Sequence, residues 1–364
     1  MIYDSNAKIL LLGLLITLGF IFLDGLSLFS LPRLGISYGG IRIPLFALIS
    51  LRGAILFLWL ILFGGIIIGR SLLGSLVVSR SSAITQIPIW PLLGLNLLFL
   101  GLELYSSFIE PTRLTVGRLV VQVPELDHSV RIVQLSDIHV ERTTRRELAL
   151  PGLVDSLQPD MIVMTGDYLN ESYKKNQITI QDLRDLILQL HAPLGIYAVN
   201  GNVESRAKMV NLFAGLDVHF LDNEVIRIPQ FGNHFVMVGL EYNTWYYDGD
   251  ILKGLMSQVK PNDFSLLLYH KPDLAFTARD LGIDLYLTGH THGGQFRLPF
   301  YGALITDSRY DKEFEMGQYQ LDNMTMYVSR GLGMAGGFAP RVRFLCPPEV
   351  VVIDLVPMEL QRGQ

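Results

Sequence analysis

Hydrophobic positions along the chain follow two patterns, and the change between them falls near residue 110. Before this point, long apolar runs predict helices near residues 9–31, 52–70 and 87–107. Each run is close to the roughly 20 residues that an α-helix needs to cross the hydrocarbon core of a bilayer. The pattern therefore predicts a transmembrane helical anchor over residues 1–110 and a separate domain over residues 111–364.

After residue 110, short apolar runs alternate with turn-forming and helical stretches, which is typical of an α/β (α+β) fold. Helical patterns cover residues 180–190 and 272–281. The predicted strands are residues 130–135, 161–165, 196–199, 235–240, 265–269, 285–288, 326–328 and 350–355.

Charge is distributed as unevenly as hydrophobicity. Residues 1–110 contain six Lys or Arg and four Asp or Glu, whereas the remaining residues contain 23 basic and 30 acidic side chains. An acidic domain argues against general binding of nucleic acid, whose phosphates require basic patches. Any affinity for phosphate must then come from a local positive charge such as a metal ion. The single cysteine, Cys346, excludes an internal disulfide and favours the cytoplasm weakly.

Polar side chains of three types follow the predicted strands. Because α/β folds gather ligand-binding residues at the carboxyl ends of strands, these side chains are expected in one crevice. Carboxylate, amide and imidazole groups together suit manganese, iron or zinc. Taken singly, each residue is equally well explained as a turn cap, a surface pair or a core histidine. The residues in question are Asp137, His139, Asp167, Asn202, His270, His290 and His292.

The series D-x-H, G-D, G-N, H and G-H-x-H, in this order, resembles the calcineurin-like metallophosphoesterase superfamily. The segments 135–139, 289–295 and 327–333 resemble its membrane-anchored bacterial branch, the YkuE-like phosphoesterases. The resemblance implies a four-layer αββα sandwich and two divalent metal ions. It implies that Asp137, His139, Asp167 and His292 hold one ion, and that Asp167, Asn202, His270 and His290 hold the other. Asp167, Asn202 and His290 are expected to act in catalysis as well.

One position departs from the family pattern. The residue after Gly-Asn is usually a histidine that assists the leaving group, and here it is Val203. General acid catalysis matters most for poor leaving groups such as alkoxides. The departure therefore favours an anhydride or an activated diester as substrate, unless Glu204, Arg206 or Tyr168 supplies the missing function.

Three arginines lie in a Gly-rich C-terminal stretch where they could bind phosphate bidentately. The predicted substrate-binding residues are Arg330, Arg341, Arg343 and Glu204. The alternative is that the arginines are solvated loop charges.

The sequence thus predicts a membrane-anchored phosphoesterase that hydrolyses a phosphodiester or diphosphate bond. The resemblance extends to enzymes that cleave a nucleotide-linked lipid, UDP-diacylglucosamine. The expected location is a bacterial inner membrane, and the distribution of Lys and Arg favours a cytoplasmic catalytic domain. Two alternatives stay open: a metal-binding scaffold weakened by Val203, or a regulatory domain of a membrane transporter.

Overall fold

The computed structural model describes residues 2–30, 38–73, 89–124, 126, 128–231, 234–243, 247–336, 339 and 341–358. Residue 31 and residues 87–88 of the predicted spans lie outside these ranges. The chain forms two compact units. The first comprises Met1–Tyr105 with Gly337–Arg341, and the second comprises Ser106–Gly336 with Val342–Gln364.

The described part of the first unit is helical, with α1 (Ile2–Ser30), α2 (Tyr38–Leu73) and α3 (Ile89–Leu104). Three stretches are long and apolar enough to cross a membrane: Lys8–Ser27, Leu45–Gly65 and Ile89–Thr112. Large apolar side chains such as Leu15, Phe22 and Phe57 are exposed on these helices. Apolar surface of this extent is unusual for a soluble protein and typical of a helix that faces lipid.

A buried polar network links the three helices of the first unit. Nε of Arg52 on α2 donates to Oδ2 of Asp24 on α1 at 2.8 Å. Nη1 of Arg52 also donates to the backbone oxygen of Asn96 on α3 at 2.8 Å and to its Oδ1 at 3.1 Å. Nδ2 of Asn96 lies 3.4 Å from Oγ1 of Thr17. Nε and Nη1 of Arg52 therefore meet acceptors from neighbouring helices, whereas its buried Nη2 has no hydrogen-bond partner among the described residues.

The described part of the second unit alternates strands and helices. Its helices are α4 (Arg145–Ser156), α5 (Gln177–Ile187), α6 (Arg206–Phe213), α7 (Asp248–Met256) and α8 (Ala275–Asp280). Its strands are β1 (Thr115–Val123), β2 (Val130–Leu135), β3 (Met161–Thr165), β4 (Ile196–Val199), β5 (His219–Phe220), β6 (Glu224–Arg227), β7 (Phe235–Gly239), β8 (Phe264–Leu268), β9 (Leu285–Thr288), β10 (Arg297–Leu298), β11 (Gly302–Ala303), β12 (Gly317–Leu321), β13 (Met324–Val328) and β14 (Glu349–Pro357).

Within the described residues, two six-stranded sheets form the centre of this unit. Their strand orders are β1-β14-β2-β3-β4-β5 and β12-β13-β9-β8-β7-β6. One apolar core contains side chains of both sheets, including Ile132 and Leu266. A second core joins the first sheet to α4, α5 and α6, and a third joins the second sheet to α7 and α8. The predicted α/β fold with αββα layers is confirmed.

The predicted strands agree with the structure to within two residues at each end, but six strands of the described residues were not predicted, and β1 and β12 are the longest of these. The edge strand β1 pairs in parallel with β14, and β12 pairs with β13 in an antiparallel hairpin. Side chains along β12 alternate between half-buried and exposed. These edge strands contain polar residues and lack the continuous apolar run of a central parallel strand.

Strands β2, β3 and β4 of one sheet are parallel, as are β7, β8 and β9 of the other. Parallel strands end at the same edge of a sheet, so the loops that follow them collect there. The predicted metal ligands lie in these loops, directly after β2, β3, β4, β8 and β9.

Candidate metal centre

A first group of ligand atoms comes from the loops after β2 and β9. It consists of Asp137, His139 and His292, all buried. Nε2 of His139 lies 3.1 Å from Nε2 of His292, and the latter lies 3.4 Å from Oδ1 of Asp137. The backbone N–H of His290 donates to Oδ2 of Asp137 at 3.0 Å. The two loops are thereby held together.

A second group comes from the loops after β3, β4, β8 and β9. Asp167, His270 and His290 are buried and close together. Nε2 of His270 lies 3.0 Å from Nδ1 of His290 and 3.0 Å from Oδ1 of Asn202. The side chain of Asn202 is exposed, whereas the other six predicted ligands are buried.

Asp167 lies between the two groups. Its Oδ2 is 3.5 Å from Nε2 of His139 in the first group and 3.4 Å from Nε2 of His270 in the second. Its Oδ1 accepts a hydrogen bond of 3.0 Å from the backbone N–H of Val203. The structure therefore brings the seven predicted ligands into one cluster, with one carboxylate shared by both halves.

The backbone at this cluster adopts an uncommon conformation. Five of the predicted ligands have a positive φ: Asp137, His139, Asp167, His290 and His292. A positive φ is uncommon for residues other than glycine, and such strain concentrates at functional sites. Two glycines permit the close approach of the loops. A Cβ at Gly289 would collide with Ser136 and Asp137, and one at Gly201 would collide with Asp167.

Hydrogen bonds behind the cluster fix which ring nitrogen faces it. Nδ1 of His139 lies 3.3 Å from the carbonyl oxygen of Leu169, and Nδ1 of His270 lies 2.8 Å from that of Thr165. A carbonyl only accepts, so each Nδ1 carries a proton and the Nε2 of each ring faces the cluster. Nε2 of His290 lies 3.4 Å from Oδ2 of Asp307, which leaves its Nδ1 for the cluster.

The sequence of the second unit matches known proteins. The family described as calcineurin-like phosphoesterase matches residues 130–294. The metallophosphoesterase YkuE of Bacillus subtilis (strain 168) is 31% identical over 264 residues, which cover 69% of this chain and 88% of YkuE. The chain belongs to the calcineurin-like metallophosphoesterase family. The resemblance inferred from the motifs is confirmed.

Relatives with a named activity lie within the same family. The UDP-2,3-diacylglucosamine pyrophosphatase LpxG of Chlamydia trachomatis is 25% identical over 307 residues, covering 68% of this chain and 91% of LpxG. The phosphodiesterase YaeI of Escherichia coli (strain K12) is 28% identical over 239 residues, covering 62% of this chain and 82% of YaeI. This metallophosphoesterase is accordingly a hydrolase of phosphoric esters or diphosphates.

The site of this metallophosphoesterase fits the dinuclear metal centre of its family. Two imidazole lone pairs that face each other at 3.0 Å repel unless a cation or a proton lies between them. For a cation about 2.1 Å from each ligand, neighbouring ligand atoms are about 3.0 to 3.4 Å apart. The separations within and between the groups run from 3.0 to 3.5 Å. Nδ1 of His292 has no hydrogen-bond partner among the described residues.

The pKa values of most of the histidines favour the neutral imidazole, which is the form that binds metal. Burial lowers the pKa of His139, His290 and His292, so these rings are neutral and their lone pairs are available. His270 differs: burial lowers its pKa, but the negative charge of Asp167 outweighs burial and raises the pKa to about 9. Burial alone would raise the pKa of Asp167, but the charge of His270 and its hydrogen bond hold this pKa below its usual range.

The predicted substrate-binding residues occupy different environments. Arg343 is fully buried, and each of its guanidinium nitrogens donates to a backbone carbonyl, including that of Cys346. Nη2 of Arg330 donates to Oε1 of Glu349 at 2.9 Å. Arg341 is half-buried and belongs to the segment grouped with the first unit. The arginine contacts in the second unit support the folding of the C-terminal loop.

Glu204 is buried beside the metal cluster. Its Oε1 accepts from the backbone N–H groups of Tyr168 at 3.1 Å and Leu169 at 3.0 Å, next to Asp167. Burial, followed by the charge of Asp167, raises the pKa of Glu204 to about 8. These contacts fix the loop after β3, which carries the shared carboxylate.

Sequence reasoning missed several residues that position the ligands. Oγ of Ser136 donates to Oδ2 of Asp137 at 2.5 Å, and its place beside the D-x-H motif was the available signal. The carbonyls of Thr165 and Leu169 had no signal, because any residue supplies a carbonyl. Asp307 is far from the motifs in sequence, and nothing in its surroundings indicated a contact with His290.

Proposed function

We propose that this protein is a membrane-anchored, two-metal hydrolase of a phosphodiester or diphosphate bond. The observation that carries the proposal is the position of the Asp167 carboxylate, which lies within 3.5 Å of imidazole nitrogens from both groups. A carboxylate shared between two sets of imidazoles is an arrangement that suits a pair of divalent ions.

The ligand chemistry favours manganese, iron or zinc, because imidazole nitrogens and carboxylate oxygens occur together. When bound, such ions lower the pKa of a water and neutralise charge on the phosphoryl group. Asp137, His139 and His292 would hold one ion with Asp167, and His270, His290 and Asn202 would hold the other. Asn202 is exposed, which supports a role for it in meeting a substrate that enters from solvent.

The side chain at position 203 limits the leaving group. Val203 is buried at 7% exposure, and it contacts the site through its N–H, which donates to Asp167. Valine cannot protonate a leaving oxygen. A leaving group that departs as a stable phosphate anion needs no such proton, whereas an alkoxide does. Diphosphates and activated diesters are therefore the proposed substrate class.

A nucleotide-linked lipid such as UDP-diacylglucosamine combines a diphosphate with a membrane location. Two observations support it: the similarity to LpxG and the three helices that are apolar enough to span a bilayer. The distribution of Lys and Arg favours an inner-membrane protein with its catalytic unit in the cytoplasm.

The test is a substrate panel for the full-length protein in detergent with Mn²⁺, Fe²⁺ or Zn²⁺. The panel contains UDP-diacylglucosamine, bis-p-nitrophenyl phosphate and an alkyl phosphomonoester. We expect chelator-sensitive hydrolysis of the first two, at least about 100-fold faster than that of the monoester. Equal rates on the alkyl monoester and the diphosphate would contradict the leaving-group argument. If no substrate were hydrolysed with any of the metals, the proposal that the protein is a hydrolase would be wrong.

A further inference from the structure

The hairpin formed by β10 and β11 carries an exposed apolar surface. We define the apolar hairpin as residues 297–305. Phe300 at its tip is fully exposed, at 110%, and Ile305 is 79% exposed. Leu298, Tyr301 and Leu304 are exposed as well. A soluble domain rarely presents so many large apolar side chains on one short segment, and such patches mark interaction sites.

Specific contacts hold the apolar hairpin in place at its base. Arg297 forms an ion pair of 2.5 Å with Glu315, whose carboxylate also accepts from the N–H of Ala303 at 3.3 Å. Ala303 is fully buried. The base is therefore anchored in the domain, so the exposure of Phe300 is a feature of an ordered hairpin.

The same base joins the apolar hairpin to the metal centre. Nη1 of Arg297 donates to the carbonyl oxygen of Gly293 at 2.9 Å, one residue after the predicted ligand His292. A Cβ at Gly294 would meet Ala303 at 2.5 Å, so the hairpin packs directly on the ligand loop. Whatever binds the apolar hairpin is thereby brought close to the site of hydrolysis.

The chemistry of the tip matches the boundary between lipid headgroups and acyl chains. Phe300 and Tyr301 are aromatic, and aromatic side chains are enriched at this boundary. Nζ of Lys312 lies 3.6 Å from the centre of the Tyr301 ring and donates to the Tyr301 carbonyl at 2.5 Å. The chain's three apolar helices would keep a bilayer at high effective concentration.

We propose that the apolar hairpin inserts its tip, Phe300 and its apolar neighbours, into the surface of a lipid bilayer, an inference that rests on the membrane anchoring proposed above. The contact brings the metal centre to the headgroup region. A lipid-linked phosphoric ester then reaches the ligands without leaving the bilayer.

The test places an environment-sensitive NBD fluorophore at position 300, through Phe300→Cys, in the full-length protein. The protein is reconstituted in nanodiscs sized for one copy, made of phosphatidylcholine and phosphatidylglycerol with or without doxyl-labelled lipid. The matched control is Ile178→Cys, which is also exposed and lies on α5 of the same unit. The unmodified protein controls for labelling at Cys346, which is buried.

We expect a blue-shifted emission at position 300 and quenching by doxyl lipid at least about threefold stronger than at position 178. Water-like emission at position 300 in protein incorporated into nanodiscs would overturn the hairpin proposal and leave anchoring intact. Blue-shifted emission without lipid quenching would also overturn it, because the tip would then contact protein. Failure of the full chain to enter nanodiscs would overturn the anchoring on which it rests.

Discussion

The first unit, called the helical unit below, and the second, called the catalytic unit, each bury a cluster of charged and polar side chains. The two clusters are built in opposite ways. In the helical unit, Arg52 donates to Asp24 and Asn96, so each of these acceptors faces a donor. In the catalytic unit, ring nitrogens of His270 and His290 face each other at 3.0 Å beside a shared carboxylate. The first cluster pairs donors with acceptors and leaves Nη2 of Arg52 without a partner among the described residues, whereas the second brings together ligand atoms that could hold metal ions.

This difference separates a structural cluster from a functional one. A buried ion pair with complementary partners specifies how elements assemble, and apolar residues of similar size can often replace it. A set of metal ligands has no such substitute, because apolar side chains offer a cation neither a lone pair nor a negative charge. The positive φ angles of five ligands also indicate a functional cluster, because such backbone strain costs stability and concentrates at functional sites.

The largest expected effect is on the metal cluster. Asp167→Ala removes the carboxylate common to both groups, so we expect kcat/KM for bis-p-nitrophenyl phosphate to fall by about three orders of magnitude or more. The measurement is steady-state hydrolysis with Mn²⁺. Asp155→Ala, an exposed aspartate on α4, is the matched control and should retain activity. If the activity of Asp167→Ala were within tenfold of that of the original protein, Asp167 would not be a ligand that both metal ions share.

The next effect concerns the helical unit. Arg52→Leu leaves Asp24 buried without its cationic partner, and removal of one partner of a buried pair costs about 3 to 5 kcal/mol. The double variant Asp24→Leu/Arg52→Leu should recover most of this loss. Denaturant unfolding in detergent micelles measures both. If the double variant were as unstable as the single one, the unpaired charge of Asp24 would not be the cause of the lost stability.

A smaller effect tests the leaving-group argument. Val203→His places a potential proton donor beside Asp167, so we expect hydrolysis of an alkyl phosphomonoester to rise about 10- to 100-fold. Diphosphate hydrolysis should change much less. Val210→His, at an exposed position of α6, is the control for an added imidazole. An unchanged ratio of the two rates would mean that position 203 does not select the leaving group.

The smallest effect is a pH dependence of metal binding. The pKa of His270 is raised to about 9 in the metal-free protein, so below pH 9 this ring carries a proton that a metal ion must displace. Affinity for Mn²⁺ should therefore rise about tenfold per pH unit between pH 7 and pH 9, then level off. Calorimetry in two buffers of different ionisation enthalpy counts the released proton. An affinity independent of pH over this range would contradict the assignment.

The sequence predicted the parts of the molecule that depend on local pattern. Central strands such as β3 and β8 are continuous apolar runs, and the ligand motifs follow them directly, so both the core and the seven clustered residues were predictable. Edge strand β1 has no such run. The contact between Asp307 and His290 depends on how distant loops fold together. The burial of Arg343 beneath its own loop likewise has no local signal.

Metal content and electron paramagnetic resonance of the Mn²⁺-loaded, full-length protein would detect two neighbouring metal ions that share Asp167. We expect two Mn²⁺ per chain with an exchange-coupled spectrum, and loss of that coupling in Asp167→Ala. A single ion per chain, or two ions with uncoupled spectra in the original protein, would contradict it.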